Sequence, residues 1–172
     1  MNILYPPESC ACFTGHRALD RDEMKIASKR VAEQIALLYE KGVHNYYAGG
    51  ALGFDFAASV TLLNLKSIYP KLTLNLALPC HDHTKKWTRA EIELFGRVKS
   101  RADSCVYVSE EYDRGCMHKR NRYMVDRSRF CVSYLAKKSG GTANTVSYAM
   151  KKGLAVINLA DSSVPSQVRF DI

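Results

Sequence analysis

Hydrophobic and polar positions alternate along the chain in a strand–helix pattern. Short apolar runs, such as Cys10–Thr14 and Leu72–Leu78, have the length of buried strands and end at glycine or proline. Between them, apolar residues recur every three or four positions, which is typical of amphipathic helices. The clearest helix follows Asp20, which has capping-box spacing to Glu23, and Gly42 is predicted to end it.

The pattern predicts six strands, at about 10–14, 44–48, 72–78, 104–108, 130–135 and 154–159. Helices are predicted between them, one of them carrying Trp87, Ala90, Leu94 and Val98 on one face. Such alternation indicates the α/β class, a Rossmann-like three-layer sandwich around a mostly parallel sheet of about six strands. We expect residues 1–172 to form a single domain, with the polar tail from Asp161 lying along its surface.

A parallel sheet determines where a binding site is expected. Right-handed crossovers place every strand-to-helix loop on the same edge of the sheet. Ligands of such folds bind outside the carboxyl ends of the strands, near the point where the strand order reverses. Candidate functional residues are therefore those of the strand-to-helix loops.

The loop after the second strand contains three glycines, Gly49, Gly50 and Gly53, followed by Asp55. Glycines let backbone N–H groups approach an anion, and the helix that begins there points its positive end at it. A side chain at Gly53 would project toward a bound phosphate or force φ into an unfavourable region. Asp55 suits a ribose hydroxyl, a base amine or a helix cap, and a simple tight turn is the alternative explanation of the glycines.

Three further loops complete the candidate site. A glycine loop follows the fifth strand and also opens a helix, so two anion-binding loops are expected on one edge. The helix after the fourth strand adds basic and amide groups, and no catalytic residue is assigned. The candidate ligand-binding residues are Thr14, Gly15, His16, Arg17, Gly49, Gly50, Gly53, Asp55, Arg120, Asn121, Asp126, Gly140, Gly141 and Thr142.

Neither a metal nor a cofactor is expected from the cysteine and histidine positions. The six cysteines include no CxxC pair, and four of them, Cys10, Cys12, Cys105 and Cys131, lie in apolar runs, which indicates buried, reduced thiols. His81 and His83 flank Asp82, but no second cluster of ligands accompanies them. We expect this segment to be a polar loop that caps the following helix.

Composition and charge limit the classes of partner that can be expected. The 172 residues are 47% hydrophobic and 24% charged, which is typical of a globular domain. The net charge of +8 favours an anionic partner: nucleic acid, an anionic surface or a phosphorylated small molecule. No apolar run reaches the roughly 20 residues of a membrane helix, and Met1–Ser9 lacks the pattern of a secretory signal. We expect a cytoplasmic protein with no membrane partner.

Four motifs in order resemble the YpsA-like family of the SLOG superfamily, which joins the DprA/Smf and LOG proteins. They read TGHR, GGALGFD, RNRYMVDRS and SGGT, within about Cys12–Leu159. The resemblance implies a Rossmann-like fold that binds nucleotides or their derivatives. LOG enzymes cleave the N-glycosidic bond of nucleoside monophosphates, with catalytic glutamates after their PGGxGT motif. Here only Gly140, Gly141 and Thr142 match, and the glutamates are absent.

Three functions are therefore considered. The first is binding, for sensing or sequestration, of a nucleotide-derived small molecule such as an ADP-ribose- or NAD-like ligand. The second is a LOG-like hydrolase or transferase activity on the N-glycosidic bond of a nucleoside phosphate, with Asp55 or Asp126 supplying the carboxylate. The third, less favoured, is single-stranded DNA binding as in DprA. A homo-oligomer is expected.

Overall fold

Six strands alternate with five α-helices over residues 4–164, the part of the chain that the computed structural model describes. The strands are β1 (Cys10–Gly15), β2 (Asn45–Ala48), β3 (Thr73–Leu78), β4 (Ser104–Tyr107), β5 (Phe130–Tyr134) and β6 (Ala155–Asn158). The helices are α1 (Arg21–Glu40), α2 (Phe54–Leu65), α3 (Arg89–Arg101), α4 (Cys116–Asp126) and α5 (Gly141–Lys151). All eleven elements lie close to their predicted positions.

Local sequence explains the best-predicted element, α1. Asp20 accepts hydrogen bonds from the backbone N–H groups of Asp22 and Glu23, and the Glu23 carboxylate accepts one from Asp20 N at 2.8 Å. The predicted capping box is therefore confirmed. Gly42, with φ of +84°, adopts the left-handed conformation that ends many helices.

All strands of the sheet are parallel, in the order β4-β3-β2-β1-β5-β6. The chain adds β2, β3 and β4 on one side of β1, and α4 then carries it back to the other side. The strand order thus reverses between β1 and β5, where Gly15 lies opposite Tyr134. The loops that follow these two strands are neighbours at this switch point.

The sheet is covered on both faces, which confirms the predicted three-layer α/β architecture. Helices α1, α2 and α3 cover one face, where the rings of Phe13 and Tyr46 stack with centroids 5.3 Å apart. Helices α4 and α5 cover the other over smaller side chains, including Cys12 and Cys131. No helix within residues 4–164 has the length and apolar character needed to cross a bilayer.

The edge of the sheet departs from the predictions. Cys105 is exposed rather than buried, because it lies on the edge strand β4, whereas the other five cysteines are buried. All six are free thiols. Of the four residues predicted on one face of α3, Trp87 precedes the helix, Ala90 and Leu94 are exposed, and Val98 is the buried residue of that helix. Helix α3 covers only an edge and therefore buries little of its surface.

The end of the described chain is held by one arginine. Arg30 donates hydrogen bonds to the carbonyl oxygens of Asp161 (2.9 Å) and Val164 (3.2 Å). The predicted surface packing of the tail can be followed only through these residues, because Pro165 and the rest of the tail lie outside the described range.

Candidate functional site

A cavity of about 410 Å³ opens at the carboxyl ends of the strands, at the switch point between β1 and β5. Its walls come from the loops after β1 and β2, from α4 and from the start of α5. The structure thus brings together loops that are far apart in sequence, on one edge as predicted. Ten of the fourteen predicted residues line the cavity: Thr14, Gly15, His16, Arg17, Gly49, Asp55, Arg120, Asn121, Gly141 and Thr142.

The loop between β2 and α2, residues 49–53, is clamped from both sides. The Asp55 carboxylate accepts a hydrogen bond from the backbone N–H of Ala51 at 2.9 Å. The guanidinium of Arg120 donates from Nη1 to the carbonyl oxygen of Gly49. Asp55 and Arg120 are 4% and 7% exposed, so these two side chains form an internal brace of the site.

Burial dominates the electrostatics of this brace. It raises the pKa of the Asp55 carboxyl, while the Arg120 charge and the N–H groups of Ala51, Gly49 and Gly50 act in the opposite direction. Burial also lowers the pKa of Arg120, and the negative charge of Asp55 opposes that shift. Each group thus offsets part of the cost of burying the other.

Two glycines of the same loop are required because neighbouring groups lie too close to their Cα atoms to leave room for a side chain. A Cβ on Gly49 would lie 2.2 Å from Arg120 Nη1. Gly53 has φ of +76°, and a Cβ there would lie 2.3 Å from the carbonyl oxygen of Arg17. Since Phe54 N also donates to the carbonyl oxygen of His16 (3.0 Å), the start of α2 is used for internal contacts. The glycines serve packing here, and a side chain on Gly53 would meet backbone rather than ligand.

The loop between β5 and α5, residues 135–140, is different because it is open. Residues 136–141 are exposed, and no side chain caps α5, whose N-cap residue is Gly140. Thr142, which could have been the cap by its residue type, lies in the first turn and faces the cavity with Gly141. Backbone N–H groups at such a helix start can bind an anion.

His16 joins the loops after β1 and β5. Its Nε2 accepts hydrogen bonds from the backbone N–H groups of Ala136 (2.9 Å) and Lys137 (3.3 Å). Two donors on Nε2 require it to be unprotonated, so the ring proton resides on Nδ1. Burial lowers the pKa of His16, and the charge of Lys137 lowers it further. Leu135 of the same loop is fixed by the side-chain amide of Asn158: Oδ1 accepts from Leu135 N at 2.9 Å, and Nδ2 donates to the Leu135 carbonyl oxygen at 3.0 Å.

Donor groups dominate the polar wall formed by α4. Arg120 Nε donates to Asn121 Oδ1 at 2.7 Å, and an arginine can only donate. The amide orientation of Asn121 is therefore fixed. Its oxygen is engaged by Arg120, and its Nδ2 hydrogens take no part in that contact. Arg17 adds an exposed guanidinium at the rim. These groups suit a ligand rich in acceptor oxygens, such as a phosphate.

Four predicted residues do not line the cavity. Gly50, Gly53 and Gly140 lie in the loops that shape it. Asp126 lies at the opposite end of α4, where it accepts a hydrogen bond from the Tyr148 hydroxyl (2.8 Å) and pairs with Lys152 (3.4 Å). The structure does not bring Asp126 to the site, because α4 runs away from the carboxyl edge of the sheet.

Sequence reasoning missed the apolar part of the lining. Phe13, Ala51, Met117 and Met124 also line the cavity. Met117 and Met124 are seven residues apart in α4, a spacing that places them on the same face as the buried Arg120. That helical spacing was the signal available in the sequence. Apolar walls beside a few polar groups are typical of small-molecule sites.

In the histidine-rich segment after β3, His83 is engaged in packing contacts. His83 packs against the rings of Trp87 and Phe95, with centroids 5.5 and 5.2 Å away, and its Nδ1 contacts the carbonyl oxygen of Cys80 at 2.9 Å. Thr88, not this segment, caps α3. Within residues 4–164, no three His, Cys, Asp or Glu side chains gather as metal ligands.

Comparison with known sequences identifies related proteins. Residues 12–157 match the YspA SLOG family. The chain is 29% identical over 140 residues to the uncharacterized SPbeta prophage-derived protein YoqJ of Bacillus subtilis, covering 74% of this chain and 82% of YoqJ. It is also 24% identical over 84 residues to a UPF0398 protein of Staphylococcus saprophyticus, covering 49% of this chain and 45% of that protein.

Comparison with solved structures supports the fold. DNA processing protein A (DprA) from Streptococcus pneumoniae matches with a TM-score of 0.60 at 17% identity, over 85% of this chain. DprA from Helicobacter pylori, whose structure describes a single-stranded DNA binding mode, matches with a TM-score of 0.58 at 17% identity, over 87% of this chain. The chain spans 48% and 64% of these two proteins, so the similarity concerns part of each.

Proposed function

The chain belongs to the YspA SLOG family, and from this premise we propose that its cavity binds a nucleotide-derived small molecule. Family membership supports a nucleotide-related or DNA-binding role. The proposal refines that role to a phosphate-containing ligand, such as an ADP-ribose- or NAD-like molecule, bound by one domain at the carboxyl edge of the sheet.

A single observation carries the proposal: an uncapped helix start and fixed donor side chains face the same cavity. The first turn of α5 presents Gly141 and Thr142, while α4 presents Asn121 beside the buried Arg120. In the proposed complex, the phosphate lies over the first turn of α5. The apolar walls and the Asn121 amide then contact the rest of the nucleotide.

Binding is favoured over bond cleavage by the state of the carboxylates. Within residues 4–164, Asp55 is the only acidic residue that lines the cavity. Its carboxylate is engaged by the backbone N–H of Ala51 and lies near Arg120. A LOG-like reaction needs a carboxylate free to act on the substrate, and Asp55 is occupied as a structural group.

Single-stranded DNA binding is the second candidate, favoured by the net charge of +8 and by the likeness to DprA. Several basic residues of α4 and its flanks, however, are engaged in separate contacts within the protein. Lys119 pairs with Asp113 (3.1 Å), Arg127 lies 3.5 Å over the Tyr123 ring, and Arg129 donates to Gly153 O. A salt-dependent mobility shift with single-stranded DNA tests this candidate.

The test of the proposed function is calorimetry with AMP and with inorganic phosphate. We expect both to bind, AMP more tightly because it also contacts the apolar walls. Asn121→Asp should abolish binding and leave the fold intact, since an aspartate oxygen still accepts from Arg120 Nε while the donor becomes an anion. Wild-type protein that binds neither probe, and releases no nucleotide detectable by mass spectrometry after denaturation, would contradict the proposal.

A further inference from the structure

A second, smaller cavity of about 250 Å³ continues the site along the outside of α4 and α5. Its lining is polar and aromatic: His118, Asn121, Arg122, Asn144, Thr145 and Tyr148. The residues from each helix are three or four positions apart, so they form the facing walls of one groove, here called the α4–α5 groove.

Asn121 connects the α4–α5 groove to the main cavity, because it lines both. On the α5 side, the first turn of the helix leads directly into the groove, and Thr145 Oγ1 donates to the carbonyl oxygen of Gly141 at 2.8 Å. A phosphate over the first turn of α5 would therefore lie at the junction of the two cavities. A ligand that continues beyond that phosphate would enter the groove.

The groove contains a stacking platform. The guanidinium carbon of Arg122 lies 5.3 Å from the centroid of the Tyr148 ring. The ring is fixed by the hydrogen bond from its hydroxyl to Asp126 (2.8 Å), and that carboxylate also pairs with Lys152. Because the exposed Arg122 guanidinium lies over the ring, a flat nucleobase would stack on the outer face of the guanidinium through stacking and cation–π contacts. Asn121 Nδ2 supplies donors for the edge of a base, and the Asn144 amide supplies a donor and an acceptor.

We propose that the α4–α5 groove is a second subsite, which binds the second nucleoside of a ligand composed of two nucleosides joined through phosphate. This inference rests on the proposed function, since it takes the phosphate position at α5 as its starting point. According to this inference, the preferred ligand is a dinucleotide. The preference over a mononucleotide comes from contact of the second base with Arg122 and Tyr148.

The test compares AMP with two dinucleotides by calorimetry: diadenosine pyrophosphate and 5′-phosphorylated d(AA). We expect at least one dinucleotide to bind about tenfold more tightly than AMP or better, the gain typical of one stacked base. The preferred linkage, pyrophosphate or phosphodiester, shows whether the natural source is a free dinucleotide or a stretch of single-stranded DNA.

Two variants that each remove one positive charge test whether the higher affinity for a dinucleotide comes from the α4–α5 groove. Arg122→Ala should reduce dinucleotide affinity about tenfold, to the level of AMP, and leave AMP affinity unchanged, because Arg122 lines only the groove. Lys151→Ala removes the same charge from an exposed position outside both cavities and should change neither.

Three results would overturn the inference. Equal affinities for AMP and both dinucleotides would reject the second subsite and leave the proposed function standing. Equal losses in the Arg122 and Lys151 variants would mean that general electrostatic attraction, not the groove, holds the second nucleoside. Absence of binding by all three probes and by inorganic phosphate, in a protein that releases no nucleotide on denaturation, would reject the proposed function and the inference together.

Discussion

The two glycine loops on the carboxyl edge look alike in sequence and differ in what surrounds them. In residues 49–53, the glycines are packed: Asp55 accepts from Ala51 N, and Arg120 donates to Gly49 O. In residues 135–140, the loop is exposed, and α5 begins without a side-chain cap. The first loop is scaffold, because its polar groups are already satisfied. The second loop leads into the first turn of α5, whose backbone N–H groups are capped by no side chain and are available to a ligand.

The largest expected effect tests the packed loop. Gly53→Ala should lower the free energy of unfolding by about 2–6 kcal/mol, since the strain of a positive φ adds to the displacement of backbone. The added Cβ would lie 2.3 Å from Arg17 O. Urea denaturation followed by circular dichroism measures this loss.

Gly140→Ala is the matched control for that variant. Gly140 also has a positive φ, +102°, but an added Cβ would meet no atom within 4 Å. It should therefore lose only the strain contribution, about 1–3 kcal/mol. Equal losses at the two positions would mean that close packing plays no part in the first loop.

A smaller loss is expected from Asp55→Asn. The variant keeps an acceptor for Ala51 N but removes the negative charge that faces the buried Arg120. The free energy of unfolding should fall by about 1.5–3 kcal/mol, the usual value of a hydrogen bond to a charged group. Urea denaturation measures the loss, and calorimetry with AMP measures binding. Unchanged stability together with lost AMP binding would make Asp55 a ligand contact instead of a brace.

The sequence predicted most of the fold and ten of the cavity residues, for physical reasons that also explain the errors. Local signals, such as the Asp20–Glu23 capping box, depend on neighbouring residues and can be found without tertiary contacts. The brace between Asp55 and Arg120 joins residues 65 positions apart, so no local pattern shows that it exists. For the same reason the sequence could not distinguish the packed glycine loop from the open one.

Direction along a helix explains the misplaced Asp126. The sequence placed it in the same helix as Arg120 and Asn121, but position within an element does not show which end reaches the site. Asp126 ends α4, more than one turn beyond Asn121, and contacts Tyr148 and Lys152 instead. Edge effects explain Cys105 in a similar way, because a strand's place in the sheet depends on pairing with distant strands.

Acidification should weaken the open loop through His16. The pKa of His16 is lowered in the folded state, so the neutral ring stabilises the fold above the unfolded pKa of about 6.5. That contribution is lost as the pH falls through the lower folded pKa, when Nε2 becomes protonated and can no longer accept from Ala136 and Lys137. Melting temperatures at pH 5 and pH 8 should therefore differ more for the wild type than for His16→Ala. An equal difference in the two proteins would show that His16 does not hold the loop.

A substitution at Gly141 should have the smallest effect on stability and a large effect on ligand binding. This residue opens α5, and an added Cβ would meet no atom within 4 Å. Gly141→Asp should leave the free energy of unfolding unchanged or raise it by up to about 1 kcal/mol, because a negative charge favours a helix start. The same carboxylate would compete with phosphate for the first turn, so affinity for AMP and inorganic phosphate should fall at least about tenfold.

Gly141→Ala separates the effect of charge from that of volume: a smaller loss of affinity in this variant would identify charge repulsion as the cause. Wild-type affinity in a stable Gly141→Asp protein would mean that the phosphate does not bind at α5, and the contrast between the two loops would then have no functional meaning.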